Sequence, residues 1–101
     1  MVQPSRRIAR IVTRYVKAAA ELGIHPEAVY LFGSYARGEA GPNSDIDILD
    51  RFENPKSLFE LVHIQNELEQ ALGHKVDLVT EGAVSPYLID TIRREEVVIL
   101  E

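Results

Sequence analysis

Two aspartates separated by a single residue are the side chains in this sequence best placed to do chemistry. Asp45 and Asp47 alternate with Ile46 and Ile48. Residues two apart in an extended strand point to the same face, so this spacing predicts two carboxylates on one face and two isoleucines turned to a core. Neighbouring carboxylates repel each other, and a divalent cation relieves that repulsion. Because no Cys or His accompanies them, the pattern favours a hard ion such as magnesium.

A third acid, Asp77, lies between Val76 and Leu78 in the same apolar, acidic, apolar pattern. If its strand runs beside the strand of Asp45 and Asp47, the three carboxylates converge. Three acids can hold two metal ions roughly 4 Å apart, the arrangement used for in-line displacement at phosphorus. We therefore predict that all three are catalytic and bind metal. The alternative, a solvated acid at a strand end, fits Asp45 better than the other two.

A glycine followed by a serine ends an apolar run that is typical of a short buried strand. Gly33 has no Cβ, so the backbone there can come close to a ligand. If a helix begins at Ser34 or Tyr35, its free N–H groups can bind an anion, and the hydroxyl of Ser34 adds a donor. We predict that Gly33, Ser34 and Arg37 bind the phosphates of a nucleotide. The alternatives are a common turn dipeptide for Gly33-Ser34 and a solvated loop charge for Arg37.

The composition is that of a small globular protein. The chain has 101 residues, of which 46% are apolar, and no cysteine. We predict one domain over residues 1–101. The absence of cysteine excludes a disulfide framework and a thiolate metal site, and it fits a reducing cytoplasm. We find neither a signal peptide nor an apolar run long enough for a membrane span, so a cytoplasmic protein is expected.

Charge is divided unevenly along the chain. Residues 1–17 carry +5 and residues 18–101 carry −10. A body this acidic repels a polyanion, which argues against direct nucleic-acid binding. Arg7, Arg10, Arg14 and Lys17 follow helical spacing and form a basic stripe. That stripe is either a solvated helix face or a patch that binds an acidic partner or helps to hold nucleotide.

Helical and extended patterns alternate along the chain. Helices are predicted over 5–22, with Ser5 as N-cap, over 57–72 and from Pro86 to about Arg94. Strands are predicted over 28–33, 45–52, 75–80 and 97–100, with a loop over 38–44. The second helix is expected to bury one apolar face, formed by Leu58, Leu61, Val62, Leu68 and Leu72. This alternation indicates a small α/β or α+β sheet with helices packed on it.

Three segments resemble a known family. Phe32–Gly38 (FGSYARG), Ser44–Ile48 (SDIDI) and Lys75–Gly82 (KVDLVTEG) resemble the signature of the DNA polymerase β-type nucleotidyltransferase superfamily. They are most similar to its minimal members, the MNT domains. The resemblance covers about residues 28–100. It implies the polymerase β-like fold, a small mixed sheet of about four strands with helices packed on it.

The resemblance also implies roles for individual residues. Asp45 and Asp47 would bridge two magnesium ions, and Asp77 would complete the site of the ion that activates the acceptor hydroxyl. Gly33 and Ser34 would hold the β- and γ-phosphates of ATP. At Asp50 the sequence departs from the pattern, because an aliphatic residue is expected there. We interpret Asp50 as a strand-end acid facing water or as a sign that the strand stops early.

Minimal members of this kind are commonly encoded beside a HEPN-type ribonuclease toxin. The resemblance therefore implies an antitoxin that transfers AMP from ATP to a tyrosine hydroxyl of that toxin. The motifs and sheet use up the chain, so we expect another protein to supply the acceptor site. Two alternatives stay open, an antitoxin that acts by binding alone and the catalytic subunit of a small-molecule nucleotidyltransferase, like those that modify aminoglycosides. A homodimer or hetero-oligomer is also left open.

Overall fold

A four-stranded mixed sheet forms the centre of the protein, as the resemblance predicts. The computed structural model describes residues 6–83, 85–95 and 97–100. The predicted N-cap Ser5 lies outside these ranges. A short 3₁₀ turn covers residues 81–83. The elements, in chain order, are α1 (Arg6–Leu22), β1 (Ala28–Phe32), α2 (Gly33–Arg37), β2 (Ile46–Arg51), α3 (Leu58–Leu72), β3 (Val76–Thr80), α4 (Pro86–Glu95) and β4 (Val97–Leu100).

The order of the strands across the sheet is β3-β2-β1-β4. β1 lies antiparallel to both β2 and β4, whereas β2 and β3 are parallel. The register places Asp47 opposite Phe32 on one side and opposite Asp77 on the other. The two acid-bearing strands are therefore neighbours, which is the condition for the three carboxylates to converge, and this adjacency follows from the parallel crossover through α3.

The main core lies between the sheet and the helices α1 and α3. Ile46 and Ile48 are fully buried on that face of β2, as the alternation predicts. Val29 and Leu31 of β1 lie beside them and join the same cluster. Helix α1 contributes one side of its surface, formed by Ile8, Ile11, Tyr15, Ala18 and Ala19. No helix within the described residues has the length and apolar character needed to cross a bilayer.

Helix α3 has clear end signals. Ser57 and Glu60 form a reciprocal capping box at its start, and Gly73 ends it with a φ of +71°. The apolar face is partly different from the one predicted, because Leu58 and Val62 are 74% and 47% exposed. The buried positions are Ile64, Leu68 and Leu72. The second half of α3 packs on the core, and its first turn extends beyond it.

Asp50 corrects both sequence interpretations of that position. β2 continues to Arg51, and the side chain of Asp50 is fully buried rather than solvated. The hydroxyl of Tyr15 on α1 donates a hydrogen bond of 2.8 Å to Asp50 Oδ2. Asp50 Oδ1 is buried and accepts no hydrogen bond from the described part of the chain. Burial raises the pKa of Asp50 to about 7, although the bond from Tyr15 acts in the opposite direction.

We expect Asp50 to make the protein less stable as the pH rises. Its pKa is raised above the ordinary 3.8, so the folded state holds the proton more tightly than the unfolded chain. This contribution is fully present below about pH 4 and is lost as the pH rises through about 7. The loss is on the order of 4 kcal/mol for such a shift. Urea unfolding of the wild type and Asp50→Asn at pH 4, 6 and 8 measures it.

The Asp50→Asn variant should show a flatter dependence of unfolding free energy on pH than the wild type. Asp90→Asn is the matched control, because Asp90 is exposed on α4 and the same change there leaves the buried pair intact. Equal pH slopes for the wild type and Asp50→Asn would show that Asp50 is not the group responsible.

Candidate nucleotide and metal site

Three acids come from two neighbouring strands at one end of the sheet. Asp47 is the second residue of β2, and Asp77 is the second residue of β3. Because these strands are parallel and in register, the two residues are direct neighbours across the ladder. Asp45 immediately precedes β2. The structure thus brings together the three acids that the sequence predicts, with Asp77 exposed and the other two half-buried.

The electrostatic field at this point is strongly negative. Burial and, in that order after it, the charges of Asp77 and Asp45 together raise the pKa of Asp47 to about 6. The guanidinium of Arg37 acts against them. A carboxyl group held among like charges in this way is stabilised by a bound cation, which removes the mutual repulsion.

Gly33 and Asp47 fit together so closely that no side chain is possible at position 33. A Cβ atom on Gly33 would collide with Oδ2 of Asp47 and lie 3.0 Å from its Cγ. The backbone of Gly33 also has a φ of +73°, a conformation that residues with a Cβ rarely adopt. The glycine therefore lets the first turn of α2 lie directly against the acid-bearing face of β2.

Ser34 and Arg37 lie on α2 beside the acids. Helix α2 begins at Gly33, one residue earlier than predicted, and is a single short helix of five residues. Ser34 is half-buried, and Arg37 is exposed at the end of the helix. Nε of Arg37 donates a hydrogen bond of 3.0 Å to Oε2 of Glu39. Arg37 is close enough to Asp47 for its positive charge to lower the pKa of that carboxyl group.

Three hydrogen bonds hold the loop that leads to Asp45. The backbone N–H of Gly41 donates to Oγ of Ser44 at 2.8 Å, and the N–H of Ser44 donates back to the carbonyl of Gly41 at 3.2 Å. On the other side of the loop, Arg7 of α1 donates from its guanidinium to the carbonyl of Ala40 at 2.9 Å. Sequence reasoning missed this role of Arg7. Its spacing in the basic stripe gives no indication of a contact 33 residues away.

The donor set suits magnesium. Within the described ranges, no group of three or more acidic, histidine or cysteine side chains is arranged so that it could hold a metal ion. Like-charged carboxylates are expected to stay apart until a cation draws them together. The residues nevertheless fit such an ion, because all three donors are carboxylates, whose oxygen atoms are the ligands that magnesium prefers. The pairing of Asp47 with Asp77 across the ladder supports the same conclusion.

Comparison with known proteins agrees with this geometry. The nucleotidyltransferase domain model matches residues 12–99. The protein adenylyltransferase MntA of Thermococcus cleftensis is 40% identical over 91 residues, which are 89% of this chain and 90% of that protein. An adenylyltransferase homologue from Methanocaldococcus jannaschii is 49% identical over 70 residues, 69% of this chain and 75% of the relative.

Solved structures with the same fold include a toxin–antitoxin crystallised with AMP-PNP. It has a TM-score of 0.79 and 26% identity, over 87% of this chain and 71% of that one. A minimal nucleotidyltransferase structure has a TM-score of 0.71 and 33% identity, over 89% of this chain and 90% of its own. The family model spans the sheet, the Gly33-Ser34 turn and all three acids, and this chain therefore belongs to the nucleotidyltransferase domain family and is a nucleotidyltransferase.

Proposed function

We propose that this protein is a magnesium-dependent protein adenylyltransferase that transfers AMP from ATP to a tyrosine hydroxyl of a HEPN-type toxin and thereby acts as an antitoxin. The observation that carries the chemistry is the ladder pairing of Asp47 with Asp77, beside a glycine that admits no Cβ. The name of the Thermococcus relative supports AMP transfer to protein. The toxin–antitoxin structure with AMP-PNP supports both the nucleotide and the kind of partner.

In this proposal Asp45 and Asp47 hold two magnesium ions, and Asp77 completes the binding of one of them. When bound, the ions neutralise charge on the triphosphate and lower the pKa of the acceptor hydroxyl. The Gly33 backbone lets the phosphates approach the sheet, and the hydroxyl of Ser34 donates to a phosphate oxygen. Arg37, which already lies near Asp47, adds positive charge on the phosphate side.

The reaction forms one bond and breaks one. The tyrosine oxygen bonds to the α-phosphorus of ATP, the bond from that phosphorus to the bridging oxygen of the β-phosphate breaks, and pyrophosphate leaves. The O–H bond of the acceptor breaks as the new bond at phosphorus forms, and its proton passes to solvent. Asp77 is the exposed member of the three acids, so an acceptor side chain can reach the site from its side.

The direct test uses the purified chain with magnesium and its co-encoded HEPN-type partner. Label from α-³²P ATP should appear on the partner, and label from γ-³²P ATP should not, because pyrophosphate leaves. Peptide mass spectrometry should place AMP on a tyrosine. Equal labelling from both nucleotides would indicate phosphorylation and contradict the proposal. Full rescue of growth by a variant with all three aspartates changed to asparagine would instead indicate an antitoxin that acts by binding alone.

Asp77→Asn should separate nucleotide binding from transfer. We expect the transfer rate to fall by about a hundredfold or more, because the acceptor hydroxyl loses its activation. ATP affinity should stay within a few-fold, since Asp45, Asp47 and the Gly33-Ser34 turn are unchanged. Single-turnover labelling and equilibrium binding of AMP-PNP measure the two quantities. A parallel loss of both would show that Asp77 serves the nucleotide rather than the acceptor.

A further inference from the structure

Three arginines of α1 line a cavity that the proposed chemistry does not use. Arg7, Arg10 and Arg14 share it with Tyr35 and His74, and its volume is about 250 Å³. The described residues that line it include no Asp or Glu. Residues 18–101 carry a net charge of −10. A cavity with three arginines on one side is therefore unusual in this chain. Charge of one sign in a low-dielectric cleft concentrates counter-ions there.

Contacts of Tyr35 with Arg7 and His74 hold the walls of the cavity. The guanidinium carbon of Arg7 lies 5.8 Å from the ring centre of Tyr35, and that ring meets the His74 imidazole edge-on at 6.2 Å. Tyr35 is only 4% exposed, so it forms a fixed floor, whereas His74 is exposed. Within the described ranges, no carboxylate lies within 4.0 Å of the guanidinium nitrogens of Arg10 or Arg14. These two side chains are free to receive an anion.

Each segment that supplies a catalytic-site residue also supplies a wall of this cavity. Tyr35 follows Ser34 on α2, and His74 lies three residues before Asp77. Pro42, which also lines the cavity, lies three residues before Asp45. The segments that carry the candidate site residues are therefore continuous with the walls of the cavity. The cavity lies on the side of α1 and α3, and Asp47 faces the opposite side.

We infer that this cavity is a second nucleotide site, which binds the phosphate of an adenosine 5′-monophosphate group apart from the metal-binding acids. Arginine presents a planar fork of donors that matches phosphate oxygens in pairs. The exposed imidazole of His74 and the ring of Pro42 offer flat surfaces against which a base can pack. A volume of about 250 Å³ suits one nucleotide unit rather than a folded protein segment.

Two sources can supply this group, free AMP and AMP already esterified to the acceptor. The second source rests on the proposed function, and the first does not. The shared chemistry is a phosphate mono- or diester bearing adenosine, and the two sources predict different relative affinities.

Binding is measured by calorimetry with the whole chain in EDTA, so that no divalent ion can bring phosphate to the acids. The probes are AMP, inorganic phosphate, adenosine and a synthetic peptide that carries AMP on tyrosine. We expect the Arg10→Gln/Arg14→Gln variant to bind AMP at least tenfold more weakly. The matched control is Arg6→Gln/Lys17→Gln, which removes the same charge from exposed positions of α1 outside the cavity and should bind within twofold of the wild type.

Each result of these binding measurements has a different interpretation. If both double variants lose the same AMP affinity, only net charge matters and the proposal is wrong. If Arg10→Gln/Arg14→Gln binds AMP as tightly as the wild type, the cavity is not the AMP site. Adenosine binding as tight as AMP would overturn phosphate recognition. Tighter binding of the AMP-bearing peptide than of AMP assigns the site to the acceptor, and the reverse assigns it to free nucleotide. Because no transfer occurs in EDTA, binding can be confirmed even if the proposed transferase reaction fails.

Arg10→Lys provides a further check that does not depend on net charge. It keeps the positive charge and an exposed helical position but loses the paired donors of guanidinium, so AMP binding should weaken several-fold. If Arg10→Lys binds AMP as tightly as the wild type, the arginines act only as a diffuse positive patch, which contradicts a phosphate site with specific geometry. Circular dichroism of each variant verifies that α1 is intact.

Discussion

Asp47→Asn is expected to reduce the rate of AMP transfer by on the order of a thousandfold, which corresponds to about 4 kcal/mol of transition-state stabilisation. Asn has the shape of Asp but lacks the negative charge that, in the proposed function, would hold the magnesium ions. Asp45→Asn should have an effect of similar size. Single-turnover assays with labelled ATP and partner, at saturating magnesium, measure the change. Asp90→Asn on α4 is the matched control and should transfer AMP at the wild-type rate.

The same Asp47→Asn variant should be more stable than the wild type in the absence of metal. Burial and the charges of Asp77 and Asp45 raise the pKa of Asp47, so its ionised form is held at a cost in the folded state. Above about pH 6 the wild type carries that cost, and the neutral amide does not. Thermal unfolding in EDTA at pH 8 should therefore give a higher Tm for the variant. A lower Tm together with lost activity would indicate a structural role for Asp47 instead of a catalytic one.

Gly33→Ala is the second change with a large expected effect. The new methyl group would collide with Oδ2 of Asp47 and displace either the acid or the start of α2. A displacement of about 1 Å at a reacting centre can cost roughly a hundredfold in rate, and we expect at least that loss of AMP transfer. Stability should also fall, because alanine is strained by about 1–2 kcal/mol at a φ of +73°.

Gly38→Ala separates the two causes. Gly38 has nearly the same backbone conformation, with a φ of +74°, but nothing lies within 4 Å of its added Cβ. It should lose a similar amount of stability from backbone strain and keep most of its activity. Gly73→Ala, at the end of α3, extends this comparison to a position far along the chain. If all three variants lose activity in proportion to stability, the contact between Gly33 and Asp47 has no special role.

Much of the site could be predicted from local pattern. The alternation of Asp47 with Ile46 and Ile48 predicts which face each side chain occupies, because the period of a strand is two. The same rule places Asp50 on the buried face with the isoleucines, so its burial could be predicted from its position in the alternation alone. The interpretation of Asp50 as a solvated acid follows from its charge, whereas its burial follows from its position in the strand. Its partner Tyr15 lies 35 residues away, and no local rule connects the two.

Other features depend on packing that a pattern does not contain. The apolar spacing of α3 includes Leu58, but the helix extends past the core there and leaves that side chain in water. The arginine stripe is visible as helical spacing, yet its cavity exists only because Tyr35 and His74 come from two other segments. The close contact of Gly33 with Asp47 likewise requires the antiparallel register of β1 with β2. Sequence indicates the chemistry of these residues, and tertiary structure determines their neighbours.

The position of β1 in the sheet affects the tendency of the chain to aggregate during synthesis and after proteolysis. β1 (residues 28–32) lies inside the sheet, but β4, which covers one of its edges, is made from residues 97–100. Until those residues are synthesised, the backbone donors and acceptors along that edge stay open to any extended peptide nearby. A protease that cuts between α4 and β4 would uncover the same edge. Aggregation during synthesis, and after such a cut, should therefore begin at β1, the strand that leads directly into Gly33 and Ser34.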